Sequence, residues 1–207
     1  MPVPERILVA TSNPKKVEEI RGALAPAGIG VASLADAGFA DVPEPDETER
    51  TFDGNARLKA IAYAAATGQV VLADDSGLEV DALGGEPGVD SAVWAGAHGD
   101  RAARDARNNA KLVSALRGVP QLERSARFVC SMCVAGPDGM VICESRGTVE
   151  GEIVDDPRGA SGFGYDPHFL VRALGRTTAE LSPSEKNAIS HRGRASREIA
   201  RLLAARA

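Results

Sequence analysis

Short apolar runs alternate with helix-like segments through the first 80 residues, and this alternation limits the fold more than any other feature of the chain. N-cap residues precede the helical segments and glycines follow them, which marks where each helix begins and ends. The predicted elements are a strand at 6–10, a helix from Pro14 to Gly28, a strand at 29–33, a helix at 51–67, and strands at 70–73 and 78–81. This order predicts an α/β protein with a mixed sheet.

A β-hairpin is predicted later in the chain, between helices. The turn sequence Pro137–Gly139 separates two strand candidates, at 126–135 and 140–149. An inserted hairpin of this kind is consistent with a second lobe and a cleft between the lobes. We therefore expect residues 1–207 to form one domain with two lobes.

Helix signals lie on both sides of the hairpin. Asp100 is a candidate N-cap for a helix before it, and Ser182 and Glu185 form a capping box for a helix after it. The apolar residues expected to bury the helix after Asp100 are Ala103, Ala106, Ala110, Val113 and Leu116. A last helix carries Ala195, Ile199, Leu202 and Leu203.

The charge of the chain bears on its partners. The formal net charge is −5, whereas a protein that coats DNA or an anionic membrane usually has a basic excess. The sequence also contains no run of 18 apolar residues, so no membrane-spanning helix is predicted. We therefore expect neither nucleic acid nor a membrane as a partner. A polyanionic ligand must then be bound by a local group of cations or by a metal ion.

The three cysteines, Cys130, Cys133 and Cys143, do not predict a metal or redox site. Cys130 and Cys133 are three apart in a predicted strand, so their thiols point to opposite faces. An odd number of cysteines, without a secretory signal pattern at residues 1–6, favours reduced thiols and a cytoplasmic location.

The start of the first predicted helix is a candidate phosphate site. The N-terminus of a helix offers unpaired N–H groups and a partial positive charge. Hydroxyl, amide and ammonium groups precede or begin this helix, although no P-loop sequence is present. The alternative is a plain capped helix with solvated lysines. The candidate residues are Thr11, Ser12, Asn13, Pro14, Lys15 and Lys16.

Two adjacent acids, Asp74 and Asp75, follow the buried strand at 70–73. Their side chains should point to opposite sides of a sheet, and burying them without partners is costly. A carboxylate at the end of a sheet strand can hold Mg²⁺ beside substrate phosphates or orient a water molecule. The alternative is a turn with two solvated acids.

Two further segments carry candidate ligand-binding residues. Glycines on both sides of Phe163 let the backbone approach a flat ligand, on which the ring can stack. Lys186 and Ser190 share one face of a predicted helix, and His191 and Arg192 follow at a helix break. The alternatives are core aromatic residues in the first segment and a surface helix–turn–helix in the second.

Six segments spread over nearly the whole chain resemble, in the same order, the inosine triphosphate pyrophosphatase family. Six matching segments are far more specific than any one of them. They are TSNPKK at 11–16, TFDGNARLKA at 51–60, ADDSGL at 73–78, LGGEPGVDSA at 83–92, GFGYDP at 162–167 and EKNAISHRG at 185–193.

This resemblance implies a reaction and a fold. The family hydrolyses (d)ITP and XTP to the monophosphate and pyrophosphate, uses Mg²⁺ and works as a homodimer. Its fold is an elongated mixed α/β sheet with flanking helices and two lobes around a central substrate cleft. We expect the same fold class, cofactor and assembly for this chain.

The resemblance also implies roles for individual residues. Asp75 is the expected catalytic carboxylate and metal ligand, and either Asp46 or Glu47 is expected to be the second metal carboxylate. The triphosphate is expected to bind at 11–16, and Ser76 is expected to contact the substrate. The residues expected to frame the base are Phe163, Gly164, Tyr165, Asp166, Lys186, His191 and Arg192.

The expected reaction is attack of water on the α-phosphorus with pyrophosphate as the leaving group. Asp75 would position or deprotonate the water, and Lys15, Lys16 and Lys59 would stabilise the anionic transition state. Donors around the base suit the 6-oxo group of hypoxanthine and xanthine, which excludes ATP better than GTP. The alternatives are a pyrophosphatase for modified pyrimidine nucleotides or dTTP, and a nucleotide sensor without turnover.

Overall fold

The computed structural model describes residues 6–206. Its strands are β1 (Arg6–Val9), β2 (Gly30–Ser33), β3 (Val71–Val80), β4 (Ser125–Ala135), β5 (Val141–Ile153), β6 (Phe169–Val171) and β7 (Arg176–Thr177). Its α-helices are α1 (Pro14–Leu24), α2 (Phe52–Thr67), α3 (Arg101–Ala115), α4 (Pro183–Ile189) and α5 (His191–Ala204). No helix among these residues has the length and apolar character needed to cross a bilayer.

The strands of the described residues form one sheet in the order β2-β1-β3-β4-β5-β6-β7. β1 is parallel to both β2 and β3, whereas β6 is antiparallel to both β5 and β7. The predicted α/β class with a mixed sheet is therefore confirmed. The chain divides into two compact units, and β3, β4 and β5 each continue from one unit into the other.

Unit 1 contains residues 6–75, 130–147 and 190–206 of the described chain. Alternate residues of β1 and β3 enter two separate apolar clusters, as the two-residue period of a strand requires. Ile7 and Leu72 pack with residues of α1 and α5 in one cluster. Leu8 and Ala73 pack with residues of α2 in the other. Because of this alternation, the side chains of Asp74 and Asp75, which follow in β3, point to different faces of the sheet and contact different helices.

Unit 2 contains residues 76–129 and 148–189. Its core joins the second half of β3 to α3, β6 and the early part of β4. The rings of Phe128 and Phe169 belong to this core, with 4.5 Å between their centroids. Phe169 is fully buried and is therefore a core residue.

The prediction of separate strands at 70–73 and 78–81 is wrong, and so is the alternative of a turn with two solvated acids. β3 runs without interruption from Val71 to Val80, so Asp74 and Asp75 lie inside a strand. Polar residues that normally favour turns remain extended here because their side chains have partners on the packed helices, as described below.

The predicted buried face of α3 is confirmed at Leu116, which is fully buried, but is wrong for the three alanines. Ala103, Ala106 and Ala110 are exposed, whereas Asn108 and Leu112 are buried. Asn108 accepts a hydrogen bond from the Ala95 N–H and donates to backbone oxygens of Ser91 and Ala92. Buried loop backbone requires such partners, and this requirement overrides the apolar pattern of the alanines.

The prediction that Lys186 and Ser190 share one helix face is wrong, because the two residues do not belong to the same helix. α4 ends at Ile189, and Ser190 is the N-cap of α5, where its hydroxyl accepts from the Gly193 N–H. The capping box of Ser182 and Glu185 is confirmed by hydrogen bonds in both directions. The helix break therefore lies at Ser190, and His191 and Arg192 form the first turn of α5.

The cysteines lie where a strand places them. Cys130 packs in the cluster that contains α1 and α5, and Cys133 packs in the cluster that contains α2. The prediction that their thiols point to opposite faces is confirmed. Both residues and Cys143 are buried free thiols.

Candidate active site

The loop before α1 caps the N-terminus of the helix with side-chain hydrogen bonds. Asn13 is the N-cap, and its side-chain oxygen accepts from the Lys15 N–H at 3.1 Å. The hydroxyl of Thr11 accepts from the Asn13 N–H at 3.2 Å. Asn13 is buried, and its Nδ2 has no hydrogen-bond partner within residues 6–206. A buried donor left unpaired beside a helix N-terminus suits an anionic ligand such as a phosphate group.

Asp74 lies on the face of β3 that packs against α1 and α5. Its Oδ2 lies 2.9 Å from the ammonium of Lys16 and 3.3 Å from Nη2 of Arg192. Burial by itself raises the pKa of Asp74, but the charges of Lys16 and Arg192 outweigh it and hold the pKa far below its usual value. Asp74 is therefore an ionised partner of two cations at neutral pH.

Arg192 connects α5 to α1. Its side chain is only 1% exposed, and it pairs with Glu19 of α1 as well as with Asp74. Burial alone lowers the pKa of Arg192, yet the carboxylates of Glu19 and Asp74 raise it well above its usual value. The guanidinium thus remains charged and fixes the position of Asp74 relative to both helices.

Asp75 faces the opposite side of the strand, towards α2. Its Oδ2 accepts from Nδ2 of Asn55 at 3.1 Å, and its Oδ1 lies 3.7 Å from Nζ of Lys59. Burial raises the pKa of Asp75 above its usual value, although the charge of Lys59 opposes that change. The predicted opposite orientation of the two acids is confirmed by these two sets of partners.

The acidic loop before α2 reaches the same group through Glu47. Oε1 of Glu47 lies 2.5 Å from Nζ of Lys59, so one ammonium contacts both Glu47 and Asp75. Burial lowers the pKa of Lys59, but Asp75, Asp74 and Glu47 together raise it above its usual value. Asp46 is exposed, and the structure places Glu47 rather than Asp46 against Lys59.

Asn55 links the acidic loop to Asp75. Its Nδ2 donates to Asp75, and its Oδ1 accepts from the Glu49 N–H at 3.0 Å. Asn55 is buried at the fourth residue of α2; its hydrogen bond to Asp75 is buried and the one to the Glu49 N–H is partly buried. One side chain therefore fixes the carboxylate in the strand and the backbone of the loop that carries Glu47.

The donor set around Lys59 suits a hard divalent cation. Two carboxylates, from Glu47 and Asp75, share one positive charge; Lys59 and Asp75 are buried, whereas the Glu47 side chain is 35% exposed. Mg²⁺ binds through one or two protein carboxylates, with substrate phosphates and water as its remaining ligands. No cluster of three or more His, Cys, Asp or Glu side chains suited to a metal occurs in the described chain. The carboxylates of Glu47 and Asp75 fit a divalent cation that takes its remaining ligands from outside the protein.

In unit 2, Asp166 organises the loop that contains Phe163. Asp166 is 2% exposed, and its Oδ2 accepts from the Phe163 N–H at 2.8 Å and from Lys186 at 2.6 Å. The hydroxyl of Thr178 donates to its Oδ1. Gly162 has a φ of +78°, and a Cβ there would lie 2.0 Å from Oδ2 of Asp166. Glycine is therefore required where this loop meets Asp166.

The ring of Phe163 is flanked by cations. Cζ of Arg101 lies 4.7 Å and Nζ of Lys186 lies 4.9 Å from its centroid. Phe163 is half-buried, whereas the ring of Tyr165 belongs to the core and its hydroxyl donates to the Ser91 oxygen. Burial raises the pKa of Tyr165, so the phenol remains neutral. Of these two aromatic residues, only Phe163 is partly exposed.

The predicted site residues fall into two groups within the units. Unit 1 holds Thr11 to Lys16, Asp46, Glu47, Asp75, His191 and Arg192, and unit 2 holds Ser76, Phe163 to Asp166 and Lys186. Sequence reasoning missed Glu19, Asn55, Arg101, Asp105, Asn109 and Thr178, which contact these residues. Most of them are polar residues in helices, where no local pattern distinguishes them from a solvated surface.

Comparison with known proteins gives the same family over nearly the whole chain. A family model described as Ham1 family matches residues 7–202. A dITP/XTP pyrophosphatase of an Exiguobacterium species is 50% identical over 194 residues, which is 94% of each chain. A dITP/XTP pyrophosphatase of Bacillus subtilis is 45% identical and covers 99% of this chain and 100% of its own.

A solved structure agrees with the sequence relatives. The structure of a HAM1 protein from Coxiella burnetii matches with a TM-score of 0.83 and 39% identity. The match covers 97% of this chain and 98% of the other. The resemblance inferred from the six sequence segments is confirmed: the chain belongs to the Ham1 family.

Proposed function

We propose that this chain hydrolyses non-standard purine nucleoside triphosphates, ITP, dITP, XTP and dXTP, to the monophosphate and pyrophosphate. The observation that carries this proposal is the group formed by Asp75, Glu47 and Lys59. It occurs in a chain that is 50% identical in sequence to a dITP/XTP pyrophosphatase. The activity removes deaminated purines from the nucleotide pool.

The start of α1 is proposed to bind the triphosphate. Backbone N–H groups at the helix N-terminus and the unpaired Nδ2 of Asn13 provide neutral donors for phosphate oxygens. Thr11 and Ser12 add hydroxyls, and Lys15 and Lys16 add positive charge. Because Lys16 is paired with Asp74, its ammonium is held in one position rather than free to rotate in solvent.

Asp75 is proposed to act as the general base towards the attacking water. Its raised pKa makes it a stronger base than an ordinary carboxylate, which suits proton transfer from the attacking water. Asn55 fixes the orientation of its Oδ2, which leaves Oδ1 on the side of Lys59. Lys59 is positioned to stabilise negative charge that develops on the phosphate oxygens.

Asp75 and Glu47 are proposed to hold Mg²⁺. When bound, the ion would offset the charge of the triphosphate and of the pyrophosphate leaving group. The contacts of Glu47 favour it over Asp46 as the second carboxylate. We expect Glu47→Gln to raise the Mg²⁺ concentration needed for half-maximal activity, with Asp46→Asn as the matched control. The reverse result would assign the role to Asp46.

Unit 2 is proposed to recognise the base. The accessible ring of Phe163 suits stacking on a purine, and the ammonium of Lys186 beside it suits an oxygen acceptor. An adenine amino group would leave such donors unpaired, which disfavours ATP. His191 and Arg192, which the family resemblance also assigns to the base, lie in unit 1. The Arg192 side chain is 1% exposed and pairs with Glu19 and Asp74, so its proposed task is to hold Asp74.

A panel of nucleotides with and without Mg²⁺ tests the proposal. Phosphate release in the presence of added inorganic pyrophosphatase should be fast for ITP, dITP and XTP and slow for ATP, and should stop when the metal is chelated. Equal cleavage of ATP would overturn the base recognition. Preferred cleavage of dTTP or modified pyrimidine nucleotides would identify the alternative pyrophosphatase, and binding without turnover would identify a sensor.

We also propose that the enzyme works as a homodimer in the cytoplasm. This part of the proposal comes from the family resemblance, and light scattering during size-exclusion chromatography tests the assembly. A single species near twice the chain mass of 21.5 kDa is the expected result.

A further inference from the structure

One face of α3 contacts the loop that carries Phe163. Arg101, Asp105 and Asn109 follow one another at four-residue spacing, so their side chains lie along the same face of the helix. All three contact residue 163 or residue 164. Neither charge nor hydropathy marks this face in the sequence, because it consists of three polar residues in a highly charged helix.

Asp105 and Asn109 bind both backbone polar groups of Gly164. The Gly164 N–H donates to Oδ2 of Asp105 at 2.9 Å, and Nδ2 of Asn109 donates to the Gly164 oxygen at 3.0 Å. Gly164 has a φ of +62°, a conformation that glycine adopts without strain but that is only one of several open to it. The two hydrogen bonds from α3 stabilise this conformation over the others.

The other end of the Asn109 amide supports the same conclusion. Its Oδ1 is buried and has no hydrogen-bond partner in the described part of the chain. An unpaired buried acceptor costs free energy, so this amide does not improve stability through that atom. The favourable hydrogen bond of the Asn109 side chain is therefore the one that its Nδ2 donates to the Gly164 oxygen.

We propose that Asp105 and Asn109 are positioning residues for base recognition, which act by fixing the backbone of Gly164 and thereby the ring of Phe163. The inference rests on the proposed function, because it assigns a task to the loop that is proposed to bind the purine. Arg101 covers part of the same ring and is a third contact between α3 and the loop.

Separate substitutions test the two hydrogen bonds. Asn109→Asp removes the donor to Gly164 and sets a carboxylate against its oxygen, and Asp105→Ala removes the acceptor. Asp105→Asn retains an acceptor oxygen and serves as the conservative rescue. Ala110→Asp adds the same charge at an exposed position of the same helix and is the matched control.

The kinetic test is the separation of KM from kcat. We expect Asn109→Asp and Asp105→Ala to raise the KM for ITP about 10- to 100-fold and to lower the preference for ITP over ATP, with kcat within about threefold of wild type. Inhibition by inorganic tripolyphosphate, which lacks a base, should not change. Asp105→Asn and Ala110→Asp should resemble wild type in all three measurements.

Hydrogen exchange of the loop gives a second measurement that needs no activity. Peptides covering residues 160–169 should exchange faster in Asn109→Asp and Asp105→Ala than in wild type or Ala110→Asp. Unchanged exchange, unchanged KM and selectivity, or an equal loss of tripolyphosphate inhibition would each overturn the inference. A wild-type chain that hydrolyses no deaminated purine nucleotide would instead overturn the proposed function, and the exchange measurement would still test the α3 contacts.

Discussion

At the scale of single residues, Asp74 and Asp75 show how environment separates two identical side chains. They are neighbours in β3, yet Asp74 meets two cations on one face and Asp75 meets an amide and a shared ammonium on the other. The pKa of Asp74 is lowered and that of Asp75 is raised. The first carboxylate therefore stabilises the fold, and the second is available for chemistry.

The same substitution at each position should give opposite results. Asp75→Asn is expected to lose about 10²- to 10⁴-fold in turnover, with a melting temperature at least equal to wild type, because its surroundings favour a neutral group. Asp74→Asn is expected to cost about 3–5 kcal/mol of stability, since it leaves buried cations uncompensated. Turnover assays and thermal denaturation at pH 8 measure both.

The pH dependence of stability follows from Asp74. Its folded-state pKa lies below the unfolded value of 3.8, so its contribution is present above pH 3.8 and is lost as the pH falls through the folded-state pKa.

Near wild-type turnover of Asp75→Asn, or an unchanged stability of Asp74→Asn, would contradict the assignment of the two roles.

The titration of Asp75 gives a separate test in metal-free protein. Its carboxyl should titrate above 3.8, and Lys59→Met should raise the pKa further because Lys59 is the main charge that opposes burial. Glu47→Gln should lower it, because the charge of Glu47 raises it. Carbon-13 NMR of the carboxyl group measures all three. Shifts of the same sign in both variants would show that the two groups do not act on Asp75 as described.

At the scale of elements, the sequence predicts where helices begin better than what they contact. The N-caps Asn13, Thr51 and Asp100 and the capping box at Ser182 are local patterns, and the structure contains each of them. The buried face of α3 and the continuity of β3 depend instead on distant partners. Asn108 is buried because it forms hydrogen bonds with the backbone of Ala95 and Ser91, and no sequence pattern within the helix predicts those contacts.

The start of α1 allows capping to be distinguished from phosphate binding. Asn13→Asp retains the side-chain oxygen that caps the helix but loses the Nδ2 donor and adds negative charge. We expect its melting temperature to stay close to wild type while the KM for ITP rises about tenfold or more. Asn13→Ala should in addition lose about 1 kcal/mol of stability through the missing cap. An unchanged KM in Asn13→Asp would leave only the capping role.

At the scale of the whole molecule, the predicted site residues are divided between the two units. Groups for phosphate and metal lie in unit 1, and the loop proposed for the base lies in unit 2. The family resemblance identified both sets in advance, because the matching segments fall in both units. The ion pairs that hold them were not predictable, since partners such as Arg192 and Glu19 are 173 residues apart and leave no local pattern.

This division predicts that phosphate binding and base recognition can be impaired separately. Lys15→Ala removes an exposed cation at the start of α1, and Phe163→Ala removes the accessible ring of unit 2. We expect Lys15→Ala to weaken inhibition by tripolyphosphate several-fold with an unchanged ratio of ITP to ATP activity. Phe163→Ala should raise the KM for ITP about 10- to 100-fold and leave tripolyphosphate inhibition unchanged. If either variant altered both properties to the same degree, the two units would not have separate tasks, and base and phosphate recognition would have to be assigned to a single set of residues.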